Sequence, residues 1–382
     1  MKNENKSQVF DILDIIKIKI ILKVLHIINS LRIGGAEKLI VDSLGLYSQF
    51  DVEVDLLLLN SDQTPFLEKL KKTYKGNVFI SKIKNCYSPL QILEIKKYLR
   101  KEYEIIHVHL FPSLYWVALA KFIFRTKSKL VFTEHNTGNR RLNNYWFRKI
   151  DKIIYSIYVR VIAITPQVKD ELIEKLKLKE EKIEVIYNGI DIIKFQKSSP
   201  YSKGFFFRGD KKILIQVSRF EIQKNQKTLI KSLSLLPEEY VLLLVGEGEM
   251  KKENIELCQK LGVADRVKFL GIRMDVPELL KTADIVVQSS HWEGFGLVAI
   301  EGMASGKPVV VSAVSGLKEL VENYGLLFKK EDENDLVKKI LSLRDIEYYE
   351  EIANKCSKRA LDFQLNFMVK NYIQVYKNVL DL

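Results

Sequence analysis

Residues 285–312 read IVVQSSHWEGFGLVAIEGMASGKPVVVS, and this stretch decides the fold. Its two ends, 285–288 and 309–312, are short apolar runs of the kind found in buried parallel strands. Helical spacing begins at Leu297 after a glycine-bearing loop, and the Gly-Lys-Pro break at 306–308 ends the helix. A strand, a helix and a second strand in this order form the parallel crossover unit of an α/β sheet.

The same alternation extends outward from this unit in both directions. In the second half it predicts strands at 212–217, 240–245, 267–270, 285–288 and 309–312, and helices at 225–236, 250–261 and 276–282. In the first half it predicts strands at 24–29, 52–59, 105–110, 129–133, 160–164 and 183–186, and helices at 36–47, 89–102, 112–124 and 166–176. The polar stretch 188–210 separates the two series and is predicted as a linker.

Two such series predict an α/β fold of two tandem doubly wound, Rossmann-like domains that face a central cleft. The chain has 382 residues, 47% of them hydrophobic, which is enough for two cores of roughly 150 to 200 residues. We place the first domain at 1–190 and the second at 191–362. Ligands of such sheets lie at the carboxyl ends of the strands, so we expect the active site in the cleft.

Cysteine content and the first residues bound the class of protein. The three cysteines are far apart and odd in number, which argues against a CxxC metal pair or a disulfide framework and favours a reducing, cytoplasmic compartment. Five charged residues interrupt the apolar stretch 9–28, so we expect neither a membrane span nor a signal peptide. Residues 9–23 are interpreted as an extension of the first strand, with an amphipathic membrane-surface segment as the alternative.

The net charge of +13 is concentrated in the first half of the chain. Residues 1–200 carry +12 and residues 201–382 carry +1. Basic clusters lie at 96–101, 121–129 and 140–152, the last of which includes Tyr145, Trp146 and Phe147. This mixture suits an anionic membrane surface, and it equally suits a lysine-rich solvated surface. Nucleic acid is not expected as a partner, because no recognisable binding module accompanies the charge.

Two carboxylates flank the start of the helix in the central stretch. Glu293 precedes the helix on the loop, and Glu301 lies one turn inside it. Gly294 and Gly296 let the backbone approach a ligand, and the free amides at a helix N-terminus attract anionic oxygens. The segment is therefore predicted to bind an anionic ligand such as a sugar diphosphate.

This segment resembles the retaining glycosyltransferases of family 4, whose mark is a glutamate, seven residues and a second glutamate in such a loop. The resemblance runs from about residue 23 to the end and implies the GT-B fold, in which a helix at 363–382 returns to complete the first domain. It implies that Glu301 binds the ribose hydroxyls of the donor nucleotide and that Glu293 lies beside the transferred sugar. The backbone amides implied to meet the sugar and the diphosphate are those of Gly294, Phe295, Gly296 and Leu297.

A second loop, SRFEIQKN at 218–225, resembles the donor-diphosphate loop of the same family. Arg219 and Lys224 are predicted to neutralise the leaving diphosphate as negative charge builds on its oxygen, where electrostatic stabilisation matters most. The family often has a glycine after this lysine, whereas the chain has Asn225.

Other glycine-bearing loops also follow predicted strands. Gly34 and Gly35 resemble the family's N-terminal glycine loop, which closes over the donor phosphate and the acceptor; the GxGxxG spacing of a dinucleotide site is absent. Gly246 and Arg273 are predicted to contact the nucleotide, with plain turn formation as the alternative. The Asn-Gly-Ile-Asp turn at 188–191 is interpreted as a hinge.

Three histidines stand at the ends of predicted strands. His107 and His109 share one face of a strand, with His109 nearer the carboxyl end and predicted on the acceptor side; a structural role is the alternative. The family places a histidine at the position of His135, in contact with the donor sugar, and the neighbouring Glu134 is the alternative contact. The predicted catalytic residues are therefore Glu293, His135, Arg219 and Lys224.

The predicted activity is a retaining transfer of sugar from a nucleotide-sugar donor, with UDP favoured over GDP, to a hydroxyl of a glycan or lipid-linked saccharide in surface polysaccharide synthesis. No Asp-x-Asp triplet or metal-ligand set is evident, so no metal or other cofactor is expected. The expected location is the cytoplasm, including the cytoplasmic face of the membrane. The alternatives are a non-catalytic nucleotide-sugar-binding subunit, a sugar-nucleotide epimerase or a phosphorylase of the same architecture, and an NAD-dependent oxidoreductase, which the absent fingerprint disfavours.

Overall fold

A computed structural model of the chain describes residues 22–99, 103–136 and 140–381, and within them the strands form two parallel sheets. The strands of the first sheet are β1 Leu22–Ile28, β2 Val52–Leu58, β3 Val78–Ile80, β4 Ile105–His109, β5 Lys129–Glu134, β6 Arg160–Ala163 and β7 Ile183–Val185. Those of the second are β8 Lys212–Val217, β9 Tyr240–Val245, β10 Val267–Phe269, β11 Ile285–Gln288, β12 Val309–Ser312 and β13 Leu326–Phe328.

Helices connect the strands in both sheets. In the first half they are α1 Gly35–Ser43, α2 Pro65–Thr73, α3 Gln91–Leu99, α4 Ser113–Phe124, α5 Tyr145–Ile157, α6 Pro166–Leu176 and α7 Ile192–Lys197. In the second half they are α8 Gln226–Leu235, α9 Lys251–Lys260, α10 Val276–Thr282, α11 Leu297–Ala304, α12 Lys318–Val321, α13 Glu333–Ser342, α14 Ile346–Ala360 and α15 Leu365–Leu380.

The lateral order of the strands confirms the predicted fold class. The first sheet has the order β3-β2-β1-β4-β5-β6-β7 and the second has the order β10-β9-β8-β11-β12-β13. The order reverses between β1 and β4 and between β8 and β11, which are the switch points where doubly wound sheets bind ligands. The loops after β8 and β11, which carry the predicted donor residues, therefore lie side by side.

The predicted linker is wrong in part, because 188–210 contains the helix α7. The Asp191 side chain accepts a hydrogen bond from the backbone amide of Lys194 at 3.1 Å, and this N-cap starts the helix. The sequence analysis also missed the edge strands β3 and β13, which are three residues long and too short to show a period. The interpretation of residues 9–21 lies outside the described residues.

The last helix, α15, packs on one face of the first sheet rather than on the second. Its buried side chains, among them Tyr372 and Tyr376, form one apolar cluster with Val24, Ile28 and Ile105 of β1 and β4. The chain crosses between the sheets twice at one place, where the amide of Ile190 donates to the Phe363 carbonyl at 2.8 Å and the amide of Leu365 donates back at 3.0 Å.

Close packing of α11 on β11 positions the central loop. A Cβ atom at Gly302 would come within 2.9 Å of both γ-carbons of Val286. Gly302→Ala is therefore expected to lower the free energy of unfolding by about 1 to 3 kcal/mol through overpacking, although alanine is the better helix former. Urea unfolding measures this change.

Gly45→Ala is the matched control, because a Cβ atom there would meet nothing within 4 Å. This variant should be as stable as the wild type or more stable by less than about 1 kcal/mol. Equal effects of the two substitutions would show that packing against Val286 is not what requires glycine at position 302.

Candidate active site

The loops after β8 and β11 meet at a buried ion pair between two predicted catalytic residues. Lys224 Nζ lies 2.7 Å from Glu293 Oε1, and the Ser290 hydroxyl donates to the same oxygen at 2.8 Å. Glu293 is only 7% exposed, so its charge is compensated by the lysine and the hydroxyl rather than by water. The amide of His291 donates to the Gln223 carbonyl at 2.8 Å, which fixes one loop against the other.

Glycine is required at two positions around Glu293, one in its own loop and one in the loop after β12. Gly296 has a φ of +87° and caps α11. Gly316 has a φ of +85°, and a Cβ atom there would lie 2.4 Å from the Glu293 carbonyl oxygen. The Phe295 side chain is buried against Tyr187 and Phe363, so its predicted donor contact would come from the backbone.

Glu301 is paired with a cation from the other half of the molecule. Its side chain is 2% exposed, and its Oε1 lies 2.7 Å from Lys38 Nζ in α1. Lys38 also lies 3.3 Å from Asp42, which in turn pairs with Lys69 at 2.9 Å. Burial alone would lower the pKa of Lys38, but the charges of Glu301 and Asp42 overcome that effect and raise it, so the amine stays protonated.

The remaining loop residues are placed by their own geometry. Asn225 has a φ of +44°, a left-handed conformation that asparagine tolerates better than most residues, and this explains how it replaces glycine. Arg219 is half-exposed and pairs with Glu221 at 2.9 Å. Burial raises the pKa of Glu37 in α1, and a backbone hydrogen bond and the charge of Arg219 oppose that shift.

The N-terminal glycine loop lies against the central loop. A Cβ atom at Gly35 would come within 3.3 Å of Leu297 Cδ1, at the start of α11. Gly34 precedes α1 in extended backbone, and a Cβ atom there would overlap the Glu37 carboxylate. The structure thus brings the predicted glycine loop of the first sheet to the donor loop of the second.

The contacts of Gly246 and Arg273 stabilise the loops around them. A Cβ atom at Gly246, whose φ is +134°, would lie 2.1 Å from the Ser218 carbonyl oxygen, so loop packing alone requires glycine there. Arg273 makes two hydrogen bonds to Asp275, at 2.7 and 2.5 Å, which hold the pKa of Asp275 near 2. Their nucleotide contacts stay predictions.

His135 is the end of a row of buried histidines. His109 Nδ1 lies 3.1 Å from His135 Nε2, and His109 Nε2 lies 3.0 Å from His26 Nδ1. His26 and His107 are register partners on β1 and β4, so the pleat places all these rings on one face. His109 is 1% exposed, and both of its nitrogens bond to histidines; we therefore place it behind His135 rather than on the acceptor side.

The row continues into the last helix. The hydroxyl of Tyr376 lies 3.3 Å from His26 Nε2 and 2.6 Å from His107 Nδ1, and His107 Nε2 lies 2.7 Å from Thr133 Oγ1. Glu134 lies on the opposite face of β5, where Tyr155 donates to it at 2.5 Å, so it is not the polar contact at the cleft.

Three histidines of this row stand close enough together to be metal ligands, which was not predicted from the sequence. The ring nitrogens of His26, His107 and His109 lie within 4.8 Å of one another, a spacing that a metal ion could bridge. Each of these nitrogens already has a hydrogen-bond partner in the row. The geometry therefore favours a hydrogen-bonded chain, and metal independence stays a prediction.

The sequence analysis also missed Lys38, Ser290 and His26. Lys38 stands one helical turn after the Gly34-Gly35 pair, which is the one signal that could have pointed to it. Nothing local marks His26, because its role depends on β1 lying beside β4.

The helix α5 forms a surface in which apolar and basic side chains alternate. Tyr145, Trp146, Phe147, Ile150 and Ile153 are exposed, and Lys149 Nζ lies 4.6 Å above the Tyr145 ring. Residues 100 and 101 of another basic cluster lie outside the described residues. Among the described helices, none is both long and apolar enough to cross a bilayer.

Comparison with known proteins identifies relatives over most of the chain. The family model of glycosyl transferases group 1 matches residues 199–362, and that of glycosyltransferase family 4 matches residues 33–194. An uncharacterized glycosyltransferase of Methanocaldococcus jannaschii is 30% identical over 303 residues, which are 74% of this chain and 77% of that protein.

Two further similar proteins are known with the molecule that they act on or bind. The N-acetylgalactosamine-N,N'-diacetylbacillosaminyl-diphospho-undecaprenol 4-alpha-N-acetylgalactosaminyltransferase of Campylobacter jejuni is 26% identical over 353 residues, 88% of this chain and 94% of that one. The crystal structure of HepE from Anabaena in complex with UDP-glucose has a TM-score of 0.80 and 25% identity, and covers 94% of this chain and 100% of that chain.

The histidine row predicts a pH dependence of stability. Burial lowers the pKa of His26 to about 3 and that of His135 to about 4, and it lowers the pKa values of His107 and His109 well below the usual value. Histidines in the unfolded chain titrate near pH 6.5. The unfolded state therefore binds more protons below that pH, and the free energy of unfolding should fall between pH 7 and 5.5.

Removing one member of the row isolates this effect from that of the carboxylates. In His26→Gln the slope of stability against pH should be smaller than in the wild type by up to about 1.4 kcal/mol per pH unit, which corresponds to one proton. His291, the one histidine outside the row, gives the control variant His291→Gln. Chemical unfolding at several pH values measures the slopes, and equal slopes for His26→Gln and the wild type would contradict a neutral His26.

Proposed function

Because this chain belongs to the group 1 glycosyltransferases of family 4, we propose that it transfers a sugar, with retention of configuration, from a UDP-sugar to a hydroxyl of a lipid-linked saccharide. The observation that carries this proposal is the pairing of Lys224 with Glu293 at 2.7 Å, beside the buried Glu301. It joins a cation for a leaving diphosphate to a carboxylate for a departing sugar.

The donor fits the second sheet with its nucleotide toward Glu301. Lys38 holds one oxygen of this carboxylate, and the other can accept hydrogen bonds from the ribose hydroxyls. The diphosphate would then lie over the amides that begin α11, within reach of Arg219 and Lys224, where the helix dipole and both cations favour negative charge.

The transferred sugar would lie between Glu293 and His135. Glu293 is the carboxylate at this place, and its Oε1 is held by Lys224 and by the Ser290 hydroxyl. We propose that it stabilises positive charge on the sugar and does not attack it, and that the acceptor hydroxyl attacks on the face that the diphosphate leaves and gives its proton to the leaving phosphate oxygen. Lys224 would pass from Glu293 to the diphosphate as charge develops there. Closure of the cleft would exclude water and thus hydrolysis.

Relatives support the choice of donor and acceptor. The Anabaena structure holds UDP-glucose, and the Campylobacter relative acts on a diphospho-undecaprenol saccharide. Such an acceptor is anchored in the membrane by its lipid. We propose that α5 docks on anionic lipid at the cytoplasmic face, with its aromatic and aliphatic side chains in the interface and Arg148, Lys149 and Lys152 at the headgroups.

Glu293→Gln keeps the shape of the side chain and removes its charge. We expect kcat for sugar transfer to fall by about 100-fold or more, which is typical for loss of a group that stabilises the transition state. The increase in melting temperature caused by UDP should remain, because a ligand that binds the folded state stabilises it whether or not turnover occurs. Product formation and thermal unfolding with UDP measure the two effects.

Glu301→Gln should show the opposite pattern, with a weakened UDP-dependent rise in melting temperature. Glu351→Gln, in an exposed pair with Lys355 on α14, is the control and should change neither quantity. A wild-type protein that is stabilised by UDP but transfers no sugar would favour the non-catalytic subunit. Stabilisation by no nucleotide diphosphate would contradict the donor site.

Flotation with lipid vesicles tests the membrane surface. The protein should float with vesicles that contain phosphatidylglycerol and not with phosphatidylcholine alone, and added salt should weaken the association. The double variant Trp146→Ser and Ile150→Ser should float less, whereas Ile346→Ser, at a 74% exposed position on α14, should behave as the wild type. Normal transfer to a soluble acceptor without any flotation would contradict membrane docking.

A further inference from the structure

We infer that Tyr376 is a positioning residue that couples the tautomer of His135 to that of His107 through the buried chain of hydrogen bonds across the first sheet. The inference rests on the proposed role of His135 at the donor sugar. Tyr376 belongs to the last helix and is buried behind the sheet, with no contact to the cleft.

The chain of hydrogen bonds runs without a break from Thr133 on strand β5 to His135. In order, its members are Thr133, His107, Tyr376, His26, His109 and His135, and each consecutive pair of polar atoms lies between 2.6 and 3.3 Å apart. Four strand residues and one helix residue stand behind His135, and none of these five is more than 2% exposed. Water therefore does not supply alternative partners along the chain.

A neutral imidazole carries one N–H, so it donates through one nitrogen and accepts through the other. When His109 donates to His135, it must accept from His26, and His26 must accept from the Tyr376 hydroxyl. When the direction is reversed, every one of these bonds reverses with it. As long as Tyr376 donates to one ring and accepts from the other, the proton on each ring thus dictates the proton on the next.

Tyr376 is the link on which this coupling depends. Its hydroxyl lies within hydrogen-bond distance of both His26 and His107, and it can donate to one while accepting from the other. Without the hydroxyl, the chain divides into the pair of His107 with Thr133 and the run of His26, His109 and His135. The direction of the hydrogen bonds among His26, His109 and His135 is then no longer tied to His107 and Thr133.

The coupling matters because the open end of the chain is at His135. Its Nε2 is bonded to His109, whereas its Nδ1 is buried and has no hydrogen-bond partner among the described residues. Whether Nδ1 carries a proton, and so whether His135 could donate or only accept when a sugar binds, depends on the direction of this chain of hydrogen bonds. A histidine held in the wrong tautomer loses catalysis while its place in the structure is kept.

Tyr376→Phe tests the inference in the full-length protein, because it removes the hydroxyl and keeps the ring. We expect kcat to fall about tenfold or more while KM for the donor stays within twofold, since second-layer groups that orient a histidine have effects of this size. Nitrogen-15 spectra of labelled histidine should show different tautomer populations for His135 in the wild type and in the variant.

Tyr158→Phe is the matched control. Tyr158 is also fully buried in the first half, and its hydroxyl donates to the Leu114 carbonyl at 2.6 Å, outside the chain. It should lose stability to a similar extent and leave kcat and the His135 tautomer unchanged. If Tyr376→Phe does not fold, Thr133→Val, which removes the hydroxyl at the far end of the chain, should shift the tautomer in the same way.

The two proposals fail in different ways. An active wild type in which Tyr376→Phe matches Tyr158→Phe in kcat and leaves the His135 tautomer unchanged would overturn the role of Tyr376. A wild type without transferase activity would overturn the proposed function, and a tautomer shift in Tyr376→Phe would still support control of His135 by Tyr376.

Discussion

The buried carboxylate of Glu301 is the constraint on which the rest of the site depends. A carboxylate that is 2% exposed costs several kcal/mol to bury unless a cation accompanies it. Its cation, Lys38, comes from α1 of the first sheet, and Asp42 and Lys69 extend the pairing away from the cleft. The negative charge of Glu301, in α11 of the second sheet, is therefore compensated by a lysine of the first sheet, which requires the two sheets to face each other.

Glu293 is also a buried carboxylate that needs a cation, and its cation comes from its own sheet. Lys224 compensates it from the neighbouring loop, and that is possible because β8 and β11 are adjacent at the switch point of the strand order. The two glutamates thus differ in the origin of their partners. Lys224, the partner of Glu293, comes from a neighbouring loop of the same sheet, whereas Lys38, the partner of Glu301, comes from the other sheet. In the proposed reaction a diphosphate would compete with Glu293 for Lys224, whereas Lys38 would stay paired with Glu301.

The sequence predicted what is local and missed what depends on neighbours in space. The strands at 212–217, 240–245, 285–288 and 309–312 have the predicted bounds, because buried parallel strands are nearly continuous apolar runs. Lys38 and His26 were missed because their partners, Glu301 and His109, are more than 80 residues away in the chain. The helix α7 was missed because its six residues are fewer than the roughly 11 to 18 over which a helical period can be recognised.

The histidine row shows how topology converts ordinary strand residues into one unit. The pleat sends every second side chain to the same face, and the parallel register of β1 and β4 sets His26 beside His107. Burial keeps the four rings neutral, and neutral rings satisfy one another only when their protons are ordered. The return of α15 to this sheet supplies the hydroxyl of Tyr376 between two of the rings. The second crossing between the sheets thus completes a core and also connects the hydroxyl of Tyr376 in α15 to His135 through His26 and His109.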